Sequence, residues 1–177
     1  MIETNRCIIR PVAISDAPFI LELLTSALWR RFIGDRGITS VDQAKTIIQQ
    51  TYLPLIERTG CGPYVVTLKD TAQAIGTVGI YQRENLKHPD LGFAFLPNYL
   101  NQGFGYEASM AHLTFVRTKM VLPLIYAITN DDNIAAQRLL LKMNFTRKEA
   151  YQPLNQEGEP DLGAVPMGLY MLNFQEN

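Results

Sequence analysis

The stretch Leu96-Pro97-Asn98-Tyr99-Leu100-Asn101-Gln102-Gly103-Phe104-Gly105-Tyr106-Glu107-Ala108 decides how the rest of the chain is read. An apolar strand ends at Pro97, a short polar loop follows, and Gly103-Phe104-Gly105 leads into a helix. Glycine lets the backbone turn sharply and lets a ligand come close. The first amides of a helix have no partner inside it and point outward. With the helix dipole they form a seat for a phosphate or diphosphate. No Gly-Lys-Ser/Thr follows, which excludes a P-loop, and no glycine stands three residues after Gly105, so the match to a dinucleotide fingerprint is poor. A plain turn that starts a helix has a similar composition, so this stretch does not decide the ligand alone.

Upstream, Leu91-Gly92-Phe93-Ala94-Phe95-Leu96, Ala74 to Tyr81 and Tyr64 to Leu68 read as strands, with Asn85 to Pro89 as a connecting loop. Further upstream, Cys7 to Arg10 forms a strand that Pro11 ends. A helix begins near Ala17, with Ser15 or Asp16 as its cap and Phe19, Ile20, Leu23 and Leu24 at helical spacing. Trp29, Phe32 and Ile33 lie beyond it, before Gly34 and Gly37. Ser40 opens a second helix with the stripe Ala44, Ile47, Ile48, Tyr52 and Leu55. Downstream come a helix from Glu107 to Lys119, a strand from Leu124 to Ile128, and a helix from Asn133 to Met143. Apolar stretches around Phe145–Tyr151 and Met167–Phe174 follow, separated by the polar loop Gln156–Gly163. The mixed order argues for one α/β (α+β) domain over residues 1–177.

Composition narrows the function classes. A chain of 177 residues with 47% apolar and 19% charged residues suits one soluble globular core. A net charge of −1 supplies no basic field for a phosphate backbone, so no nucleic-acid partner is expected. No run approaches the ~18 apolar residues that span a bilayer, and Met1 to Arg10, with Glu3, Arg6 and Arg10, does not read as a secretory leader. Cys7 and Cys61 lack metal-ligand spacing and read as reduced thiols of a cytoplasmic protein with no metal.

A second segment, Thr129 to Phe145, ends a strand in Asn and Asp residues, caps a helix, and closes it at Asn144, the natural substitute for glycine in a left-handed cap. Together the two segments resemble the GNAT N-acetyltransferases, specifically the RimJ/RimL-type branch. Gly103 and Gly105 match the family's diphosphate-loop glycines, and Glu107-Ala108 the branch's Glu-Ala. Asn133 and Ala136 match its Asn-x-x-Ser/Ala, and Lys142-Met143-Asn144-Phe145 its helix end. Arg10-Pro11 with Asp16-Ala17 resembles the opening strand and helix, and Leu91-Gly92-Phe93 the Ile-Gly-Tyr-type strand. Leu100 departs from the usual Gln or Arg. Ala136 and Leu140 stand where many relatives carry a serine or tyrosine acid.

The resemblance implies a mixed, mostly antiparallel seven-stranded sheet with a central splay, flanked by about four helices. It implies acetyl-CoA as cosubstrate and an amine acceptor, without metal; a homodimer is common in such folds, and the oligomeric state stays open. Pantetheine would lie between the Leu91–Leu96 and Leu124–Ile128 strands, against free backbone at Phe95 and Leu96. A bulge in the earlier strand would aim an amide at the thioester. Asn101, Gln102, Gly103, Phe104, Gly105 and Tyr106 would surround the diphosphate, with Asn133 near it and Lys142 reaching a phosphate. For the proton acceptor Asp90 comes first, with Glu84 and His88 as alternatives. Tyr126, or else Tyr170, would be the acid. Trp29, Phe32 and Tyr81 would contact the acceptor, with Arg30 and Arg31 beside them, while His112 reads as structural. A catalytically silent CoA-binding module, or a domain for another phosphorylated ligand, are the competing readings.

Overall fold

A computed structural model describes residues 1–120, 122–155, 158–161 and 163–174. Its β-branched and aromatic segments pair into one eight-stranded sheet. The strands are β1 (Ile2–Glu3), β2 (Cys7–Pro11), β3 (Gly62–Leu68), β4 (Ala74–Tyr81), β5 (Asp90–Phe95), β6 (Leu124–Thr129), β7 (Thr146–Tyr151) and β8 (Met167–Asn173). Their spatial order is β1-β2-β3-β4-β5-β6-β8-β7, antiparallel throughout except for β5 beside β6. The seven expected strands are present, and β1 corrects the count to eight. With only two residues, β1 shows no alternation that a sequence pattern can reveal.

The helices are α1 (Ala17–Thr25), α2 (Ala27–Phe32), α3 (Val41–Ile47), α4 (Leu53–Thr59), α5 (Phe104–Lys119) and α6 (Ile134–Lys142). A π-helical turn, Ile48–Tyr52, joins α3 to α4, giving five rods where about four were expected. The additional rod is α2, six residues with none fully buried and too short to repeat a helical period. The caps follow local chemistry. Ser40 accepts from the Gln43 amide at 3.2 Å, and Asn133 accepts from the Ala136 amide at 3.2 Å. Asn144 closes α6 with φ 65°. Asp16 stands at the start of α1, but its carboxylate turns back to the Ala13 amide and to Arg10 at 2.7 Å each. α5 begins at Phe104, three residues ahead of its apolar pattern, because Gly103 takes φ 84° at the cap.

Helices cover both faces of the sheet. On one, Ala108, Leu113 and Val116 of α5 with Leu140 of α6 pack on Val66, Val78, Leu91 and Ile125. On the other, Ile20, Leu24, Ala44, Ile48 and Tyr52 pack on Val12 and Val65. Side chains alternate along a strand, so Leu91, Phe93 and Phe95 face α5, while Asp90, Gly92 and Tyr81 face the α1–α4 layer. β5 and β6 share one register position, Asp90 with Tyr126, where the Tyr126 amide donates to the Pro89 carbonyl at 2.9 Å. Beyond it they diverge. The expected bulge sits at Ile75, where the β3–β4 register shifts between Val66 and Thr67, on the border away from the divergence. In the Gln156–Gly163 loop, residues 156, 157 and 162 lie outside the described residues, and Leu154 bridges Pro160. Among the described residues no helix is long and apolar enough to cross a membrane.

His112 is buried on α5 as a structural side chain, its ring 4.8 Å from that of Tyr64 and 6.3 Å from that of Phe115. Its Nδ1 and the Ser109 Oγ one turn away have no partner among the described residues. Burial lowers the imidazole to about 4, below the ~6.5 of an unfolded histidine. The unfolded chain binds the extra proton between these values, so this contribution to stability is complete above pH ~6.5 and is lost on descent toward pH 4. We expect His112→Leu to remove ~3 kcal/mol of acid sensitivity. Thermal unfolding followed from pH 7 to 4 checks this: the fall in Tm should be smaller in the variant than in the parent.

Candidate active site

The loop after β5 is shaped by its own backbone. The Leu96 amide donates to the Ile75 carbonyl at 2.9 Å and the Leu96 carbonyl accepts from the Tyr99 amide at 3.0 Å, so Leu96 turns both groups inward. A 3-10 turn, Pro97–Tyr99, follows. Asn101 at φ 58° and Gly103 at φ 84° then bring the chain round into α5. The Gln102 side chain donates to the Asn98 carbonyl at 2.7 Å and so staples the loop. Among the described residues, the amides of Gly103, Phe104 and Gly105 have no acceptor, and no side chain caps them. They gather at the N-terminus of a 16-residue helix, where an anion is favoured. A Cβ at Gly105 would stand 3.1 Å from Leu139 and 3.6 Å from the Phe95 ring, so glycine permits α5 to approach both. The Phe104 side chain is core.

Lys142 comes to the same end of α5, its Nζ 4.7 Å from the centre of the Tyr106 ring. Asn133 follows β6, with its side-chain oxygen occupied by the cap of α6. The N-terminal turn also reaches the loop, since Arg6 donates to the Gln102 carbonyl at 3.0 Å and lies 4.1 Å over the Phe104 ring.

A cleft runs from this loop between β5 and β6. Backbone groups alternate direction along β5: Leu96 turns to β4 and Pro89 to β6. Phe93 and Phe95 therefore present their amides and carbonyls toward β6, which no longer pairs with them. Asp90 and Tyr126 stand at the closed apex, side by side on the α1–α4 face. The His88 ring meets the Tyr126 ring edge to face at 5.7 Å. Tyr81, the register partner of Asp90, lays its ring over Gly92, where a Cβ would be 2.8 Å from it. Thus Asp90, Tyr126, Tyr81 and His88 come together.

Asp90 opens β5 as a buried residue, 2% exposed, and is gripped by Arg83 at 2.9 and 3.3 Å through both oxygens. Burial raises its carboxyl above the usual carboxylate range, against the charge and hydrogen bonds of Arg83. Burial, with Tyr52 and Asp90 nearby, likewise raises the Tyr81 hydroxyl. Glu84 is exposed in the preceding loop. Tyr170 faces α6 and donates to Gln137 at 3.2 Å, away from the apex. Ala136 and Leu140 are buried, Leu140 at 1% exposure, so neither presents a group to the cleft. Trp29 packs against the α1–α3 core with its Nε1 unpartnered among the described residues. Phe32 is half-buried, and its carbonyl accepts from Asn130, just past β6. Arg83 and Arg6 carry no local pattern that singles them out. Among the described residues no group of three or more His, Cys, Asp or Glu is placed to hold a metal ion.

The α/β fold thus brings free amides at a helix N-terminus beside a sheet whose two parallel strands share a single register position. The acetyltransferase (GNAT) domain description matches residues 6–146, and the chain belongs to this family. It is 28% identical over 162 residues to the uncharacterized N-acetyltransferase YoaA of Bacillus subtilis (strain 168), covering 90% of this chain and 91% of that one. Its fold is similar to that of a Salmonella typhimurium acetyl transferase that modifies an N-terminal serine of a 50S ribosomal subunit protein (TM-score 0.77, 15% identity, 97% of this chain and 96% of that one). It is also similar to Mycobacterium smegmatis RimJ in complex with CoA-disulfide (TM-score 0.74, 17% identity, 98% and 88%). The chain is accordingly an acyltransferase that uses acetyl-CoA.

The Arg83–Asp90 pair is testable through stability. Arg83→Met leaves a buried carboxylate without its cation, which costs about 1–3 kcal/mol at neutral pH with Arg83 itself half-exposed. The lone carboxyl's folded pKa then lies further above its unfolded value, so the loss shrinks as the pH falls and Asp90 protonates. Denaturant unfolding at pH 7 and pH 4.5 should show the larger difference from wild type at pH 7.

Proposed function

We propose that the protein transfers an acetyl group from acetyl-CoA to a primary amine, a protein N-terminus or a small-molecule amine, by direct attack in a ternary complex. The observation that supports this most is the continuity of free amides at Gly103–Gly105 with the cleft that opens beyond Asp90 and Tyr126. The groups present suit coenzyme A. The Gly103, Phe104 and Gly105 amides would hold its diphosphate, with Lys142 at hand for a phosphate. The exposed backbone of Phe93 and Phe95 would pair with the amides of pantetheine. Acetyl-CoA supplies an acyl group already activated on a thiol leaving group.

This chain's residues then orient the amine and remove its proton. In our reading Asp90 is the acceptor of that proton, its raised carboxyl a better match for the task than an ordinary carboxylate. Tyr126 stands beside it with His88 against its ring, and Tyr81 forms the floor on which the acceptor rests. A thiol of pKa ~8.5 departs near neutrality without strong assistance, which accommodates Ala136 and Leu140. One observation favours the second reading, a silent CoA-binding module: both Asp90 oxygens are engaged by Arg83.

Incubation with acetyl-CoA and a panel of peptide and small-molecule amines, with thiol release as the readout, separates the two readings. Turnover is expected on at least one amine, and CoA binding without turnover on any supports the module. Gly103→Glu places bulk and negative charge against the diphosphate seat and should abolish CoA binding by calorimetry. Asp90→Asn should lower kcat by roughly 10²–10⁴ and remove the acid limb of its pH profile.

A further inference from the structure

A conflict of charge lies at the diphosphate seat. Glu107 stands in the first turn of α5, a position that stabilises a helix. The same carboxylate would repel a dianionic ligand held by the amides just before it. The structure contains the answer to that conflict 101 residues away in sequence. Oε1 of Glu107 accepts from the Thr4 hydroxyl at 2.6 Å and from the Arg6 amide at 2.7 Å, and Oε2 accepts from Arg6 Nε at 2.7 Å. Partial burial works to raise this carboxyl, but the bonds from Thr4 and Arg6 and the guanidinium charge outweigh it and hold the group below the usual carboxylate range.

Arg6 does more than neutralise. Its Nη1 holds the Gln102 carbonyl, its plane covers the Phe104 ring, and its Nη2 lies 3.3 Å from where a Gly103 Cβ would stand. One side chain therefore touches Gln102 and Phe104, passes beside Gly103, and holds the acid behind them. A second arginine of the same hairpin, Arg10, makes an ion pair of equal length with Asp16 but reaches no part of the loop.

We propose that Arg6 is a positioning residue for coenzyme binding: it holds the Gln102–Phe104 loop in shape and cancels the Glu107 charge, so that the free amides face the diphosphate without a competing anion. The role rests on the acetyl-CoA reading above. It predicts effects on affinity rather than on chemistry. In Arg6→Met, the CoA dissociation constant and the KM for acetyl-CoA should rise at least tenfold while kcat stays within about threefold. Adding Glu107→Gln to Arg6→Met should recover at least threefold of that loss, because the liberated charge is then gone. Arg6→Lys, which keeps the charge and loses the fork, should fall between. Arg10→Met should lower Tm and leave CoA affinity unchanged.

Calorimetry with CoA on the intact proteins, with circular dichroism to establish folding, decides the matter. Wild-type protein that binds no CoA overturns the function and this role together. Wild-type binding with unchanged affinity in folded Arg6→Met overturns this role alone. A double variant no better than Arg6→Met overturns the charge-cancelling part of it. Should Arg6→Met not fold, Arg6→Lys and Arg6→Gln carry the same comparison, and wild-type affinity in both overturns the role.

Discussion

Two parallel strands that meet at one register position and then part are the constraint on which the rest of this structure depends. In an ordinary sheet the backbone groups of β5 would be consumed by β6. Here the pairing of Asp90 with Tyr126 is the last contact before the strands separate, and the groups of Phe93 and Phe95 are left to be satisfied by something else. Leaving them open is possible because the neighbouring pairs are extensive: β4 holds β5 over six positions and β8 holds β6 over six. The same separation gives the loop after Phe95 room to turn outward and begin α5 at Gly103 with its amides unspent.

The apex of the divergence concentrates the ionisable chemistry. Asp90 cannot be water-solvated there, and its carboxyl responds to burial more than to its cation. Arg83 nevertheless keeps it from being a buried charge without a cation. A carboxyl held in this balance is sensitive to small changes around it, a property shared by many groups that exchange protons with substrate.

Much of this was legible in the sequence wherever the cause is local. The strands show their period, and Ser40, Asn133 and Asn144 cap helices by contacts within three residues or by their own backbone angle. Gly103 and Gly105 were readable because backbone angle and close approach demand glycine. β1 and α2 escaped because neither is long enough to carry a pattern. Within the site, the Leu96 amide turns to Ile75 and not to the cleft, a matter of register parity that no residue type encodes. The partners of Asp90 and Glu107 escaped for a different reason. Arg83 lies across a loop and Arg6 in another hairpin, so only the tertiary fold brings them to their carboxylates.

The glycines under Tyr81 have a consequence for how such a protein can change. A methyl group at Gly79 would meet the Gly62 carbonyl at 2.2 Å, and one at Gly92 would meet the Tyr81 ring at 2.8 Å. That patch of sheet is drawn by bare main chain across β3, β4 and β5, and it has no free volume in which to accept variation. Room for variation on that side of the sheet therefore lies in the helical layer, which includes the π-turn Ile48–Tyr52. There a new side chain can settle among other side chains without pressing on the main chain of the sheet beneath.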